Sequence, residues 1–127
     1  SFPLWGLHNS RGQSPYGSGR YSYEDFMILQ TLEQTIISRK TADPNSSWTA
    51  QLLENGPEKC AEKFGEEAIE AIIEAVKGDQ KALTSEAADV VYHLMVMLAS
   101  RDIAFKDVLA ELAHRSSSSG LDEKAQR

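Results

Sequence analysis

Apolar side chains recur at helical spacing in several stretches of this 127-residue chain. Phe26, Ile28, Leu29, Leu32, Ile36 and Ile37 give a first helix from about Glu24 to Lys40. The run Ala42-Asp43-Pro44-Asn45-Ser46-Ser47 breaks it. A short helix is then predicted from Trp48 to Asn55, with Ser47 as its cap and Gly56 as its stop. Pro57 suits the first turn of a long helix, where its missing N–H is harmless, and Gly78-Asp79 ends that helix after Lys77. A fourth helix, interrupted or capped near Thr84-Ser85, continues to about Ser100. Residues 105–115 make a fifth, with Phe105, Val108, Leu109 and Leu112 on one side. Strand alternation and internal repeats are absent from the pattern. The expected fold is an all-α bundle of four to five helices.

Three regions follow. Residues 1–22 are rich in Gly, Ser, Pro and Tyr and read as a flexible leader or a remnant of expression, although Phe2, Leu4, Trp5 and Leu7 are apolar enough to dock. Residues 23–115 form the helical domain, and residues 116–127 a polar C-terminal tail.

The polar faces of the two long helices carry the chemistry. On a wheel of about 100° per residue, Lys59, Lys63, Glu66, Glu67, Glu70, Glu74 and Lys77 share a sector about 100° wide. Most of the remaining circumference is apolar, as if the helix were packed on several sides. From Val90 to Ala99 nearly every residue is apolar, yet Glu86, Asp89 and His93 share one face. Glu67 and Glu70, like Glu86 and Asp89, are three residues apart and so lie on neighbouring turns of one face. Facing each other across a hairpin, the two pairs gather four carboxylates. Such a cluster repels itself unless a hard divalent cation joins it; Mg²⁺ prefers oxygen ligands and retains waters that substrate phosphates replace. Taken alone, the stripe of Glu66 to Glu74 also fits a solvated face of Lys–Glu pairs.

Single residues add less. His93 fits a hydrogen bond to substrate or to a metal ligand better than metal ligation itself. Tyr92 reads as packing with its hydroxyl at a polar edge, and Cys60 as a small buried apolar residue. Gly65 costs about 1 kcal/mol against Ala inside a helix, and a close helix approach would explain it.

Composition narrows the classes. A net charge of −6 argues against a nucleic-acid surface, which needs a basic patch. One cysteine leaves neither an intrachain disulfide nor a cysteine-based zinc site. Val90 to Ala99 is too short a run to span a bilayer, and the first residues lack a basic region followed by an apolar one. A cytoplasmic protein without a membrane partner is expected.

The pattern Glu66-Glu67-x-x-Glu70, a gap, then Glu86-x-x-Asp89 resembles the signature of the all-α nucleoside-triphosphate pyrophosphohydrolases of the MazG type. A longer match is narrower. Ser38-Arg39-Lys40, Ser47-Trp48-Thr49-Ala50, Gly56, Lys59, Lys63-Phe64-Gly65-Glu66-Glu67 and Glu86-Ala87-Ala88-Asp89-Val90-Val91-Tyr92-His93 together resemble the phosphoribosyl-ATP pyrophosphohydrolase family. The resemblance covers about residues 24–115. The cyclohydrolase domain that some family members carry in front needs zinc-binding cysteines, and this chain cannot contain it.

The resemblance implies Mg²⁺-dependent hydrolysis of phosphoribosyl-ATP to phosphoribosyl-AMP and pyrophosphate, with Mn²⁺ a possible substitute. It implies a homodimer that completes the bundle, with residues of both chains at the site. Glu67, Glu70, Glu86 and Asp89 are then the expected metal ligands. Glu66 would orient the attacking water or act as general base; proximity alone does not decide between these roles. Lys59 and Lys63 could reach phosphate oxygens, Arg39 suits a planar phosphate contact, and Lys40, Ser47, Thr49 and His93 could complete the substrate site. Helix-surface ion pairing is the plainer reading of the cations. Two other functions remain open from sequence: a house-cleaning enzyme for non-canonical nucleotides on the same scaffold, and a non-enzymatic helical module that binds ions.

Overall fold

The computed structural model describes residues 20–117. Five α-helices occur among them and no strand: α1 (Tyr23–Ser38), α2 (Trp48–Glu54), α3 (Pro57–Lys77), α4 (Gln80–Ser100) and α5 (Phe105–Ser116). A 3₁₀ turn, Arg39–Thr41, follows α1 directly. The all-α expectation holds. The described residues divide into two units, Met27–Ala104 and the segments 20–26 and 105–117 that flank it. Nearly all of the expected leader and most of the expected polar tail lie outside the described residues.

Local signals set most boundaries. At the start of α1, Ser22 and Asp25 form a reciprocal capping box: Asp25 N–H donates to Ser22 Oγ at 3.2 Å, and Ser22 N–H to Asp25 Oδ2 at 2.7 Å. In the break before α2, Asn45 N–H donates to Asp43 Oδ1 at 2.9 Å, an Asx turn that stops the helical ladder. Ser47 caps α2 by accepting from Ala50 N–H at 3.1 Å. Gly56 sits at φ +89° immediately before Pro57, and Gly78 closes α3 in the left-handed conformation at φ +80°.

Three expectations are corrected. The fourth helix is neither interrupted nor capped at Thr84-Ser85. Asp79 caps it by accepting from Ala82 N–H at 3.0 Å, and Thr84 Oγ1 donates back to Gln80 O at 2.8 Å, so its hydroxyl is satisfied inside the helix. Gly65 is not a point of close helix approach: nothing beyond its own helix lies within 4 Å of where a Cβ would stand. The long helix α3 is not packed on several sides within this chain. Ile69, Ile72, Ile73 and Val76 are exposed, Val76 to 84%.

Within Met27–Ala104, the two-residue link Gly78-Asp79 folds α3 and α4 into an antiparallel hairpin. α2 packs against both of its helices. Ile36, Leu52, Cys60 and Val96 are fully buried, with Ala50, Met95 and Ala99 beside them. Cys60 Sγ donates to Leu52 O at 3.3 Å, and burial raises its thiol pKa, as suits a packing residue. At 21 residues α4 is long and apolar enough, by length and composition alone, to cross a membrane, although its apolar run is short. Its partnership with α3 and its acidic residues instead fit one half of a bundle hairpin.

Candidate metal and phosphate site

Every candidate site residue named from sequence lies between Arg39 and His93, inside the unit Met27–Ala104. The α3–α4 hairpin brings three of the four expected ligands together. Carboxylate oxygens of Glu67, Glu70 and Glu86 all lie within 4.8 Å of one another. Asp89, one turn along α4, stands outside this group but acts on it through its charge.

The electrostatics record the crowding. Partial burial, a hydrogen bond and charge from Glu70, and the charges of Asp89 and Glu86 push Glu67 up to about 7. Desolvation, then Glu70 and Asp89, also raise Glu86. Glu86 Oε2 is buried without a hydrogen-bond partner. Such an oxygen is costly to leave unpaired. Three clustered carboxylates, one with an orphaned oxygen, are hard oxygen donors, so the residues present fit a divalent cation of the Mg²⁺ type.

The basic and hydroxyl residues divide. Lys63 Nζ lies 3.1 Å from Glu66 Oε2 and 5.8 Å from the centroid of the Trp48 ring. Glu66 raises the Lys63 pKa, by hydrogen bond first and charge second. Lys59 turns to Glu62 at 3.2 Å. Lys40 pairs with Asp102 at 2.5 Å, across 62 positions of sequence. That pair lines an open cavity of about 440 Å³ with Thr41, Pro44, Leu53, Ser100 and others, at the far end of α4 from the carboxylates. Arg39 is exposed on the 3₁₀ turn. Ser47 Oγ serves as the cap of α2, and Thr49 Oγ1 is hydrogen-bonded to Tyr92 OH.

His93 is buried, and its Nδ1 has no partner. Burial lowers its pKa, opposed by Asp89 and Glu66 and reinforced by Lys63. The ring meets Tyr92 edge-on, with centroids 4.8 Å apart. Asp102 and Tyr92 acquire side-chain partners that sequence reading missed. Spacing along the chain carries no signal for pairs 62 and 43 positions apart.

An all-α chain whose helical hairpin carries a Glu-Glu-x-x-Glu, Glu-x-x-Asp pattern and gathers three of its carboxylates belongs to the class of the all-α nucleotide pyrophosphohydrolases. The comparison with known families is narrower: residues 29–116 match the model of the phosphoribosyl-ATP pyrophosphohydrolase family. The chain is 70% identical over 100 residues to a phosphoribosyl-ATP pyrophosphatase of Dinoroseobacter shibae, covering 79% of this chain and 98% of that protein. Proteins of the same name from Roseobacter denitrificans (70% over 101 residues, 80% of this chain and 96% of that one) and Ruegeria pomeroyi (71% over 100 residues, 79% and 95%) are equally similar. The chain belongs to the phosphoribosyl-ATP pyrophosphohydrolase family.

Proposed function

We propose that this protein hydrolyses the α–β phosphoanhydride of phosphoribosyl-ATP, releasing phosphoribosyl-AMP and pyrophosphate, the second step of histidine biosynthesis. The observation that carries the reading is the convergence of Glu67, Glu70 and Glu86 on the hairpin of a chain in this family. Glu67, Glu70, Glu86 and Asp89 would hold Mg²⁺, or Mn²⁺ in its place. The bound cation neutralises charge on triphosphate oxygens and lowers the pKa of a water. Glu66 stands beside the cluster with its carboxylate tied to Lys63, a position from which it orients the water or accepts its proton.

Lys63 and Lys59 meet the phosphate chain from α3. Lys59 is held by an exposed i,i+3 pair with Glu62, and Lys63, part-buried over the Trp48 ring, by a pair with Glu66; ion pairs of this kind are weak enough to exchange for phosphate. Arg39, Lys40, Ser47 and Thr49 are assigned to the substrate's distal phosphoribosyl group. A hydroxyl donates once and accepts twice, so the Ser47 cap and the Thr49–Tyr92 bond leave capacity for substrate. His93, whose pKa burial lowers, completes the wall beside Asp89.

The working form is a homodimer, supported by the bare α3 stripe Ile69, Ile72, Ile73 and Val76, with Val91 of α4 also exposed. The protein works in the cytoplasm, and its net charge of −6 does not suit nucleic acid. The test is pyrophosphate release from phosphoribosyl-ATP beside a panel of nucleoside triphosphates, with and without EDTA. Preference for a deoxynucleotide would move the protein to house-cleaning chemistry. Absence of pyrophosphate release from every nucleotide would leave only ion binding.

A further inference from the structure

The first turn of α2 touches both helices of the acidic hairpin. Thr49 Oγ1 shares a hydrogen bond with Tyr92 OH on α4, and the Trp48 ring lies under the Lys63 ammonium on α3. Tyr92 is three residues beyond Asp89, and Lys63 is four before Glu67. Because α3 and α4 run antiparallel, these two contacts fall at the same end of the hairpin, each about one turn from the carboxylates. A seven-residue helix has no stability of its own in water, so its placement comes from such contacts. Ala50 and Leu52 bury the inner face of α2; the bond to Tyr92 is the polar tie at its start.

We propose that Tyr92 is a positioning residue: through Thr49 it fixes the first turn of α2, and so keeps Trp48 against Lys63 and the Lys63 ammonium at the edge of the acidic cluster. The inference rests on the proposed hydrolysis of phosphoribosyl-ATP, in which Lys63 meets phosphate. A half-buried phenol hydroxyl needs a partner, and here that partner is a side chain on another element. Lys63 has a flexible four-carbon stem, and its reach is narrowed by the ring on one side and Glu66 on the other. Releasing α2 removes the aromatic wall and lets the ammonium wander from the phosphate path.

The experiment has two readouts. In kinetics, Tyr92→Phe raises KM for phosphoribosyl-ATP roughly tenfold with kcat within about twofold, the pattern of lost ground-state positioning. Thr49→Val raises KM at least as much, Tyr92→Phe adds nothing in its background, and Thr49→Ser restores the wild-type value. Lys63→Met raises KM by itself, and Tyr92→Phe adds nothing there either. Independently of turnover, tryptophan fluorescence in a Trp5→Phe background reports on Trp48, and Tyr92→Phe increases its quenching by acrylamide. Unchanged quenching, or additive effects of Tyr92→Phe and Lys63→Met on KM, would overturn the proposal. Wild-type protein that turns over no phosphoribosyl-ATP but shows the quenching change would sink the functional reading and keep the tether.

Discussion

Glu67 on α3 and Glu86 on α4 bring carboxylate oxygens within 4.8 Å of each other across the hairpin, with Glu70 as the third member of the group. Among the described residues no lysine forms an ion pair with either: Lys63 binds Glu66 and Lys77 binds Glu74, at the two flanks of the cluster. The centre is left acidic between two lysine–glutamate pairs. Substrate phosphates and a divalent cation could both be accommodated by that distribution, the cation at the centre and phosphates toward Lys63.

Charge in the cluster, rather than shape alone, should govern metal binding. Glu67→Gln and Asp89→Asn nearly conserve size while removing one negative charge each. Metal affinity, measured by titration calorimetry, and turnover should fall together by orders of magnitude. Removing a carboxylate also relieves repulsion in the metal-free protein, so each variant should melt higher than wild type in EDTA. Wild-type activity unchanged by EDTA would end the metal reading.

The same repulsion gives a pH dependence with a definite sign. Glu67 has an ordinary value of 4.5 and is pushed up to about 7 in the fold. A raised carboxylate takes up protons on folding, so its ionisation opposes the folded state. For this group, metal-free stability is greatest below about 4.5 and declines as pH rises toward 7. Thermal melts in EDTA should show that decline, Glu67→Gln should flatten it, and millimolar Mg²⁺ should offset it. A melting temperature in EDTA that rises across pH 5 to 7, with Glu67→Gln making no difference to the slope, would contradict the account.

Much of this was legible in the sequence, for local reasons. The Ser47 cap, the Pro57 start and the Gly78 stop each depend on residues within one turn, so the pattern alone places them. The acidic faces follow from helical periodicity, and their convergence follows from the short Gly78-Asp79 link. Less local features were not legible. Thr84 looked like a break because its hydroxyl can compete with the helix ladder; it instead bonds Gln80 O within the helix. Gly65 suggested contact, and a missing side chain cannot reveal that its surroundings are open. Periodicity grouped Asp89 with the other carboxylates, but side-chain reach decided which three converge.

The bare α3 stripe should be the seam between two copies. Fully burying an isoleucine or valine stabilises by about 1.5–3 kcal/mol, and Ile69, Ile72, Ile73 and Val76, each about half exposed or more, retain a large part of that gain for an interface. Ile72→Glu places a charge in the middle of that seam, where desolvation penalises it. Sedimentation should find wild type dimeric at micromolar concentration and Ile72→Glu monomeric. A stable wild-type monomer would remove the dimer from the proposed function.

The last prediction concerns substrate choice. Phosphoribosyl-ATP differs from ATP by a ribose phosphate on the adenine ring, remote from the bond that breaks. Binding energy from remote groups helps to orient the reacting centre, so a truncated substrate loses turnover as well as affinity. Arg39, Lys40, Ser47 and Thr49 lie outside the acidic motif and are therefore free to set specificity. Arg39 is the freest to respond: it is exposed on the 3₁₀ turn, whereas Lys40 is paired with Asp102 and the two hydroxyls already bond within the fold. Its planar guanidinium matches a phosphate bidentately. Phosphoribosyl-ATP should be hydrolysed at least about a hundredfold more efficiently than ATP or dUTP, a discrimination of about 2.7 kcal/mol at 1.36 kcal/mol per tenfold. Arg39→Ala should erode that ratio by lowering kcat/KM for phosphoribosyl-ATP alone, with Mg²⁺ affinity unchanged because the carboxylates are untouched. Equal kcat/KM for ATP and phosphoribosyl-ATP in the wild type would refute the specificity; an Arg39→Ala variant that loses both substrates equally would place the arginine on the triphosphate instead.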